Sequence, residues 1–141
     1  SESLFMHDIR SPAGALGLMQ VMPRTGRQTA KELNLKWRGN NTLINPSTNI
    51  RIGSYYLAKQ LNRFGHPALA TAAYNAGPHR VKRWMPDKPM PLDVWVASIP
   101  FTETRNYVQR VLTAQVIYEW RYNGVITRLD EVVAPQITSK E

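Results

Sequence analysis

Along most of the chain, apolar residues recur at steps of three and four positions, and the alternating pattern of a half-buried strand is nearly missing. This spacing predicts an all-α domain. The clearest helix follows Asn45-Pro46, because asparagine caps helix N-termini and proline fits the first turn. It should end at about Phe64, where Gly65 supplies a C-terminal stop. The predicted buried stripe of this helix comprises Ile50, Gly53, Leu57, Leu61 and Phe64.

A second long helix is predicted from about Thr102 to Asn123-Gly124, a pair of residues that typically ends a helix. Its apolar face is wide enough to predict a central position in the fold. The stripe comprises Tyr107, Val111, Ala114, Tyr118 and Tyr122, with Val108, Leu112, Val116 and Ile117 beside it.

Shorter helices are predicted between these two, because ten prolines and eight glycines divide the remaining sequence. They are expected from about Pro23 to Asn34, from Pro67 to Tyr74, from Pro78 onward and around Leu92 to Ser98. The proline-rich segment from Trp84 to Pro91 is typical of an ordered surface loop. The residues after Gly124 have too little periodicity to predict an element.

The length of 141 residues fits a single domain, which we expect at residues 1–124, followed by a C-terminal tail at 125–141. The opening segment, Ser1 to Phe5, has helical propensity but no cap. It is therefore expected to be the end of a truncated helix that depends on tertiary contacts or on preceding sequence.

The charge balance, eighteen Lys and Arg against ten Asp and Glu, gives a net charge of +8 and indicates an anionic partner. Nucleic acid, acidic lipid and an anionic cell-wall glycan all fit. Cysteine is absent and the three histidines lack metal-ligand spacing, so no metal site is expected. No cofactor is expected either. The apolar stretch Ala13 to Met22 is too short for a transmembrane segment, and no signal segment opens the chain.

Most of the ten carboxylates are expected to be solvated charges. Glu32 and Glu119 lie on predicted helices rich in Lys and Arg, where surface pairing is their ordinary role. Glu103 follows the predicted cap residue Thr102, where the helix dipole favours a negative charge.

Three segments place polar groups among small and apolar residues: Glu2 to Phe5, Ser11 to Pro23 and Ala72 to Pro78. Small residues let a backbone or a ligand approach closely, and Gln20, Tyr74 and Asn75 add hydrogen-bonding groups beside them. Each segment alone is a weak signal, whereas the three in this order are a strong one.

Together with Ile99 to Tyr107, these segments resemble the soluble lytic transglycosylases, whose catalytic domain has a lysozyme-like fold related to goose-type lysozyme. The resemblance implies an all-α, lysozyme-like helical domain with a glycan-binding cleft. It also implies a periplasmic enzyme that cleaves the MurNAc-β-1,4-GlcNAc bond of peptidoglycan and leaves 1,6-anhydroMurNAc ends.

The resemblance further implies roles for single residues. Glu2 matches the catalytic acid/base of the family. The implied substrate-binding residues are Ser3, Ser11, Gln20, Met22, Tyr74, Asn75, Glu103 and Tyr107. Of these, Tyr74 and Asn75 match the residues that face the catalytic glutamate.

A single acid agrees with the residues around the first segment. Glycosidases normally use two carboxylates, but only Asp8 lies near Glu2 in sequence, and pairing with Arg10 or solvent is its ordinary role. Without an enzymic nucleophile, the C6 hydroxyl of the muramic acid is expected to attack its own C1. Glu2 would protonate the leaving oxygen and then accept the hydroxyl proton.

Other functions fit the same sequence. A goose-type-lysozyme-like hydrolase would use the same acid, and a glycan-binding remnant would be inactive because of the truncated helix. A basic nucleic-acid-binding domain is a third alternative, based on Trp84 and its neighbours Arg80, Lys82, Arg83 and Lys88. Since such clusters are ordinarily solvated surfaces, peptidoglycan is the expected partner and nucleic acid is not. The oligomeric state is left open.

Overall fold

The computed structural model describes residues 9–123 and 136–137. The described residues are mostly helical, which confirms the all-α prediction. The helices are α1 (Pro23–Glu32), α2 (Asn40–Ile44), α3 (Pro46–Phe64), α4 (Pro67–Ala76), α5 (Pro78–Trp84), α6 (Leu92–Ala97) and α7 (Thr102–Asn123). Two short strands are β1 (Met90–Pro91) and β2 (Gln136–Ile137).

The predicted ends of α3 and the predicted start of α7 are confirmed, because local signals set them. Asn45 caps α3 through its side-chain Oδ1, which accepts the Thr48 amide at 3.1 Å. Gly65 ends the helix with φ at +72°, a conformation that favours glycine. The helix α2 was not predicted, since a helix of five residues is too short to show a period.

The predicted buried stripe of α3 is wrong in part. Ile50 and Leu61 are 47% and 44% exposed, and Leu57 is also exposed, although Gly53 is buried as expected. The buried side of the helix carries Asn49, Ile52, Gly53 and Gln60. Because Asn49 and Gln60 are polar, a prediction based on hydrophobic spacing does not recognise this side of the helix as buried.

The predicted stripe of α7 is displaced in the same way. Val111 and Ala114 are exposed, whereas Val108 and Leu112, expected beside the stripe, are buried together with Thr104. Tyr107 is half-buried, and the side chains of Tyr118 and Tyr122 lie outside the described residues.

The chain divides into two compact units, residues 1–59 and residues 60–141. The buried core of the first unit comprises Leu16, Val21, Ala30, Leu43 and Ile52. The core of the second unit is formed mainly by α4, α6 and α7, with Trp95 and Val108 among its fully buried side chains. The predicted boundary at residue 124 stays a prediction.

A short antiparallel strand pair belongs to the second unit. Met90 pairs with Ile137, and Pro91 pairs with Gln136. Ile137 is only 3% exposed and joins the core of its unit. The sequence pattern missed both strands, because two residues cannot display an alternation. No helix in the described part of the chain is long and apolar enough to cross a membrane.

Candidate functional site

The described site residues of the first unit, Ser11, Gln20 and Met22, lie in or beside a tight loop at residues 17–20. Leu16 and Val21 exchange backbone hydrogen bonds of 2.9 and 3.0 Å and close the loop. Gly17 has φ at +76°, and Gln20 adopts the left-handed φ of +50°. A Cβ on Gly17 would lie 2.6 Å from the Leu43 carbonyl oxygen, so only glycine fits there without a shift.

A buried asparagine on α3 fixes this loop. The Asn49 side chain donates from Nδ2 to the carbonyl oxygens of Leu16 and Leu43, each at 2.9 Å. Its Oδ1 accepts the Met19 amide at 2.8 Å. With Asn49 fully buried, these three bonds are shielded from water and join the loop to two helical segments.

Met19 gives the loop a second attachment to α3. A Cβ on Gly53 would lie 2.6 Å from the Met19 sulfur, so the absence of a side chain at Gly53 is what admits Met19. The Ser54 hydroxyl also donates to that sulfur at 3.7 Å. Backbone and side chain of the loop are therefore both tied to the same helix.

The side chain of Gln20 is held in place by hydrogen bonds from its amide nitrogen Nε2. Its Nε2 donates to the carbonyl oxygen of Gly17 at 2.8 Å and to that of Ile9 at 3.3 Å. Within the described part of the chain, no hydrogen bond reaches its Oε1. The orientation of the half-buried side chain is thus fixed, and its carbonyl oxygen is the group that could accept a bond from a ligand.

Ser11 and Met22 flank the loop with different roles. Ser11 Oγ accepts the Ala15 amide at 2.9 Å, and the Ser11 carbonyl accepts the Gly14 amide at 2.9 Å, so Ser11 organises a turn. Met22 stands immediately before α1 and is 44% exposed. An exposed thioether at the start of a helix is an apolar surface that a ligand could cover.

The predicted site residues of the second unit lie on α4 and α7. Tyr74 and Asn75 are half-buried in the last turn of α4. Asn75 Oδ1 accepts the Thr104 hydroxyl at 2.7 Å, and Thr104 is 1% exposed. The bond fixes Asn75 against α7.

The composition of α4 permits this close packing. The helix packs along α7, and its buried side is rich in alanine. Its buried residues are Ala68, Leu69, Ala70, Thr71, Ala72, Ala73 and Ala76. Small side chains bring the two backbones close enough for Asn75 to reach Thr104.

Glu103 and Tyr107 lie on the first two turns of α7, one helical turn apart and therefore on neighbouring positions of one face. Glu103 is exposed and Tyr107 half-buried. Glu103 occupies the first turn, where the helix dipole favours a negative charge, as expected.

Glu2 and Ser3 lie outside the described residues, and their roles stay predictions. The structure thus brings Ser11, Gln20 and Met22 into the first unit around one loop, and it places Tyr74, Asn75, Glu103 and Tyr107 on two packed helices of the second unit. Among the described residues, no group of three or more His, Asp or Glu side chains could hold a metal ion.

Glu32 has the surface role expected from sequence. Lys59 Nζ lies 2.8 Å from Glu32 Oε1 and 3.0 Å from Oε2. This hydrogen bond from Lys59 holds the pKa of the Glu32 carboxyl below its ordinary value.

Two residues of the cluster considered for nucleic-acid binding, Arg80 and Trp84, make contacts within the second unit. The Arg80 guanidinium lies 4.8 Å from the Phe101 ring centroid and donates to the Ala76 carbonyl at 3.1 Å. Trp84 meets the same ring edge-on, with centroids 5.2 Å apart. Because both side chains pack against Phe101, a structural role explains Arg80 and Trp84 without a nucleic-acid ligand.

With this geometry established, comparison with known proteins identifies the family. Residues 1–90 match the model described as "Transglycosylase SLT domain". The chain belongs to the soluble lytic transglycosylase family. Residues 98–125 match a second model, described as "Soluble lytic transglycosylase helical domain".

Individual family members show the extent of the similarity. The soluble lytic murein transglycosylase of Salmonella typhimurium is 44% identical over 121 residues, which are 83% of this chain and 19% of that protein. A putative soluble lytic murein transglycosylase of Haemophilus influenzae is 38% identical over 143 residues, covering 99% of this chain and 23% of that protein. The chain therefore spans about a fifth of the length of these relatives.

Solved structures of soluble lytic transglycosylases share the fold. An inactive Glu-to-Gln mutant of lytic transglycosylase Slt from Pseudomonas aeruginosa is similar with a TM-score of 0.80 and 42% identity, covering 99% of this chain and 23% of that chain. The 70 kDa soluble lytic transglycosylase of Escherichia coli gives a TM-score of 0.75 and 35% identity, over 92% and 22% of the two chains. A complex of a 70 kDa soluble lytic transglycosylase with bulgecin A gives the same TM-score. The predicted all-α, lysozyme-like fold class is confirmed.

Two positioning residues of this lytic transglycosylase family member were not predicted from its sequence. Asn49 and Thr104 are buried polar residues, at 0% and 1% exposure, and each bonds a segment that carries predicted site residues. The sequence feature that could have drawn attention to them is their place near a helix start, because each lies in the first turn of a helix whose start was predicted. A polar residue there is ordinarily assigned to capping or solvent.

Proposed function

We propose that this chain is the cleaving part of a peptidoglycan lytic transglycosylase. The substrate is the MurNAc-β-1,4-GlcNAc glycan strand, the products carry 1,6-anhydroMurNAc ends, and the location is the periplasm. The observation that carries the proposal is the family match over residues 1–90, which includes the segments with Glu2, Gln20 and Tyr74. The names of the relatives, soluble lytic murein transglycosylases, support the same substrate class.

Glu2 is the catalytic acid and base in this proposal. Its carboxyl proton passes to the oxygen that leaves C1 of the muramic acid as the glycosidic bond breaks. The C6 hydroxyl oxygen of the same sugar then forms a bond to C1, and the hydroxyl proton returns to the Glu2 carboxylate. Atoms balance without a water molecule, and the acid is regenerated. The inactive Glu-to-Gln mutant of the Pseudomonas relative supports a scheme that depends on one glutamate.

The described residues contribute binding groups. In the first unit, the loop fixed by Asn49 presents the side-chain oxygen Oε1 of Gln20. Met22, two residues after Gln20, adds an exposed thioether side chain. A sugar offers hydroxyl donors to the oxygen and an apolar ring face to the thioether. Because the loop is held by backbone bonds, little ordering accompanies binding.

In the second unit, Tyr74 and Asn75 supply hydrogen-bonding groups on a helix whose packing fixes them. We propose that they bind the sugar on which charge develops, with Ser3, Ser11, Glu103 and Tyr107 as further substrate contacts. Preorganised polar groups of this kind stabilise developing charge at little reorganisation cost.

The first test is the substitution Glu2→Gln, which keeps the shape of the side chain and removes the transferable proton. We expect release of soluble muropeptides from purified sacculi to fall by at least about a hundredfold, the usual contribution of general acid catalysis. The matched control is Glu32→Gln, the same chemical change in a surface ion pair, which should leave turnover unchanged. Residual activity within about tenfold of the parent would reject Glu2 as the acid.

Mass spectrometry of the digest separates a transglycosylase from a hydrolase on the same fold. Attack by the C6 hydroxyl gives anhydro ends that are one water lighter than hydrolysed ends. The tethered hydroxyl has the advantage of proximity over a free water molecule. A predominance of reducing muramic acid ends would reassign the reaction to hydrolysis, and binding without turnover would leave a glycan-binding protein.

A further inference from the structure

An open pocket of about 860 Å³ lies in the first unit, and none of the candidate site residues that the structure describes lines it. Its wall is formed by one face of α1 and by the segment that follows this helix. The residues that define it are Arg24, Arg27, Lys31, Leu35, Lys36 and Trp37. We call it the α1 pocket.

A left-handed residue at the end of α1 creates the pocket. Asn34 has φ at +56°, its amide donates to the Lys31 carbonyl at 3.2 Å, and the Leu35 amide donates to the Ala30 carbonyl at 2.8 Å. These two bonds form a Schellman motif, which reverses the chain direction at a helix end. The reversal brings the segment with Trp37 back beside α1.

The returning segment is fixed by the core of the first unit. Leu35 and Trp37 are partly buried and pack against the core cluster that contains Leu43 and Ile52. The indole therefore forms a firm wall of the pocket while part of its surface stays accessible.

The other walls are strongly cationic. Arg24, Arg27 and Lys31 follow each other at steps of three and four residues and share one face of α1, which spans about 10 Å over two turns. Lys36 adds a fourth cation from the returning segment. All four side chains are exposed.

These cations have no acidic partner among the described residues. Between residues 9 and 59 the sequence contains one acid, Glu32, and Lys59 binds it through both carboxylate oxygens. The other basic side chains of that stretch are Arg10, Arg24, Arg27, Lys31, Lys36, Arg38 and Arg51. Within the described ranges, no carboxylate neutralises the positive charge of the α1 pocket, and this charge can attract an anionic ligand.

The length and charge of the α1 pocket indicate which class of ligand it can bind. A single small anion would engage only part of a cationic face that is two helical turns long. A ligand with several carboxylates on a branched chain matches the charge spacing, and its apolar stretches can contact the Trp37 ring. The helix also begins one residue after Met22, a proposed glycan contact, so a branch from a bound strand starts close to its first cation.

We propose that the α1 pocket binds the carboxylates of the peptide stems that branch from peptidoglycan glycan strands. The identity of the polymer rests on the proposed function, whereas the unpaired cations and the Trp37 wall are properties of the described chain. In this proposal the α1 pocket binds the peptide part of the substrate, and the residues proposed as glycan contacts bind the sugars.

The test measures binding rather than turnover. The triple variant Arg24→Gln, Arg27→Gln, Lys31→Gln removes three cations of the pocket. The matched control, Lys82→Gln, Arg83→Gln, Lys88→Gln, removes the same charge from the second unit. All proteins carry Glu2→Gln. Binding to intact sacculi is measured by co-sedimentation, and binding to the soluble glycan strands that an amidase leaves after removing the peptide stems is measured by equilibrium dialysis.

We expect the pocket variant to bind intact sacculi about tenfold more weakly, as three exposed charge contacts of ordinary strength predict. Its binding to stem-free glycan should stay within about twofold of the parent, and the control should lose less than threefold on either material. The variant Arg24→Lys, Arg27→Lys keeps the charge and should retain most of the binding. Thermal melts of each variant report whether it remains folded.

Three results would overturn the proposal: unchanged binding of the pocket variant to intact sacculi, equal losses in the two triple variants, or an equal loss on stem-free glycan. The first two would show that the pocket has no special role beyond net charge, and the third that it binds sugar. Muropeptide release by the Glu2→Gln parent would instead contradict the proposed catalytic residue and leave the pocket result intact.

Discussion

The loop at residues 17–20 and the pair of helices α4 and α7 position predicted site residues by different means. In the loop, a single buried amide, Asn49, supplies three hydrogen bonds, and left-handed backbone at Gly17 and Gln20 completes the turn. In the helix pair, alanine-rich packing sets the geometry, and the bond from Thr104 to Asn75 adds to it. The loop should therefore tolerate far less change at single positions than the helix pair.

The largest effect is expected for Gly17→Ala in the loop. The new Cβ meets the Leu43 carbonyl and Asn49 at a positive φ, so we expect a loss of roughly 3–4 kcal/mol in the free energy of unfolding. The matched control is Gly14→Ala, where φ is +96° but no atom lies within 4 Å of the new Cβ. Backbone strain alone should cost about 1–2 kcal/mol there. Urea unfolding of the two variants gives the difference, and equal losses would show that the contact with Asn49 and Leu43 is unimportant.

A smaller effect is expected for Thr104→Val in the helix pair. The shape of the side chain is nearly kept, but Asn75 loses the hydroxyl that donates to its Oδ1, which should cost about 1–1.5 kcal/mol. Thr113→Val is the control on the same helix, because the exposed Thr113 hydroxyl bonds, among the described residues, only to the Gln109 carbonyl. Its unfolding free energy should change by less than about 0.5 kcal/mol. A loss at Thr104 above 3 kcal/mol would mean that the helix pair depends on its polar contact as the loop does.

The smallest effect is a dependence on pH at the start of α4. His66 Nδ1 accepts the Ala68 amide at 3.0 Å and caps the helix, and burial lowers the pKa of His66 below its ordinary value of 6.5. The folded state thus favours neutral His66, so this stabilisation is fully present above pH 6.5 and is lost as the pH falls below it. Asparagine caps helices without titrating in this range.

Unfolding free energies of the parent and of His66→Asn, measured between pH 8 and pH 5, isolate this contribution. The difference between the two proteins should shift in favour of the variant as the pH is lowered. The same comparison for Gly17→Ala should show no such trend, since the described hydrogen bonds between the loop and Asn49 involve no titratable side chain. A parallel pH response of parent and His66→Asn would contradict the capping role.

The sequence predicted those features that depend on neighbouring residues. The ends of α3 were predictable because Asn45 and Gly65 act within one turn of the helix. The segment with Gln20 and the pair Tyr74-Asn75 were likewise recognised from local composition and from a family resemblance.

What the sequence did not predict depends on partners distant in the chain. Asn49 is polar and was assigned to no buried stripe, yet it bonds Met19, thirty residues away. Thr104 bonds Asn75 across twenty-nine residues. Such residues look like surface positions until their partners are known, so the stripes predicted for α3 and α7 were placed on the wrong faces in part.

The position of Ile137 matters for anyone choosing the limits of a protein fragment. Its side chain is 3% exposed and belongs to the core cluster that includes Leu92 and Trp95. A fragment ended after α7, at the point where the helical pattern stops, would remove that side chain and leave Met90 without its strand partner. Expression boundaries for this unit therefore belong beyond residue 137, although periodicity alone would place them fourteen residues earlier.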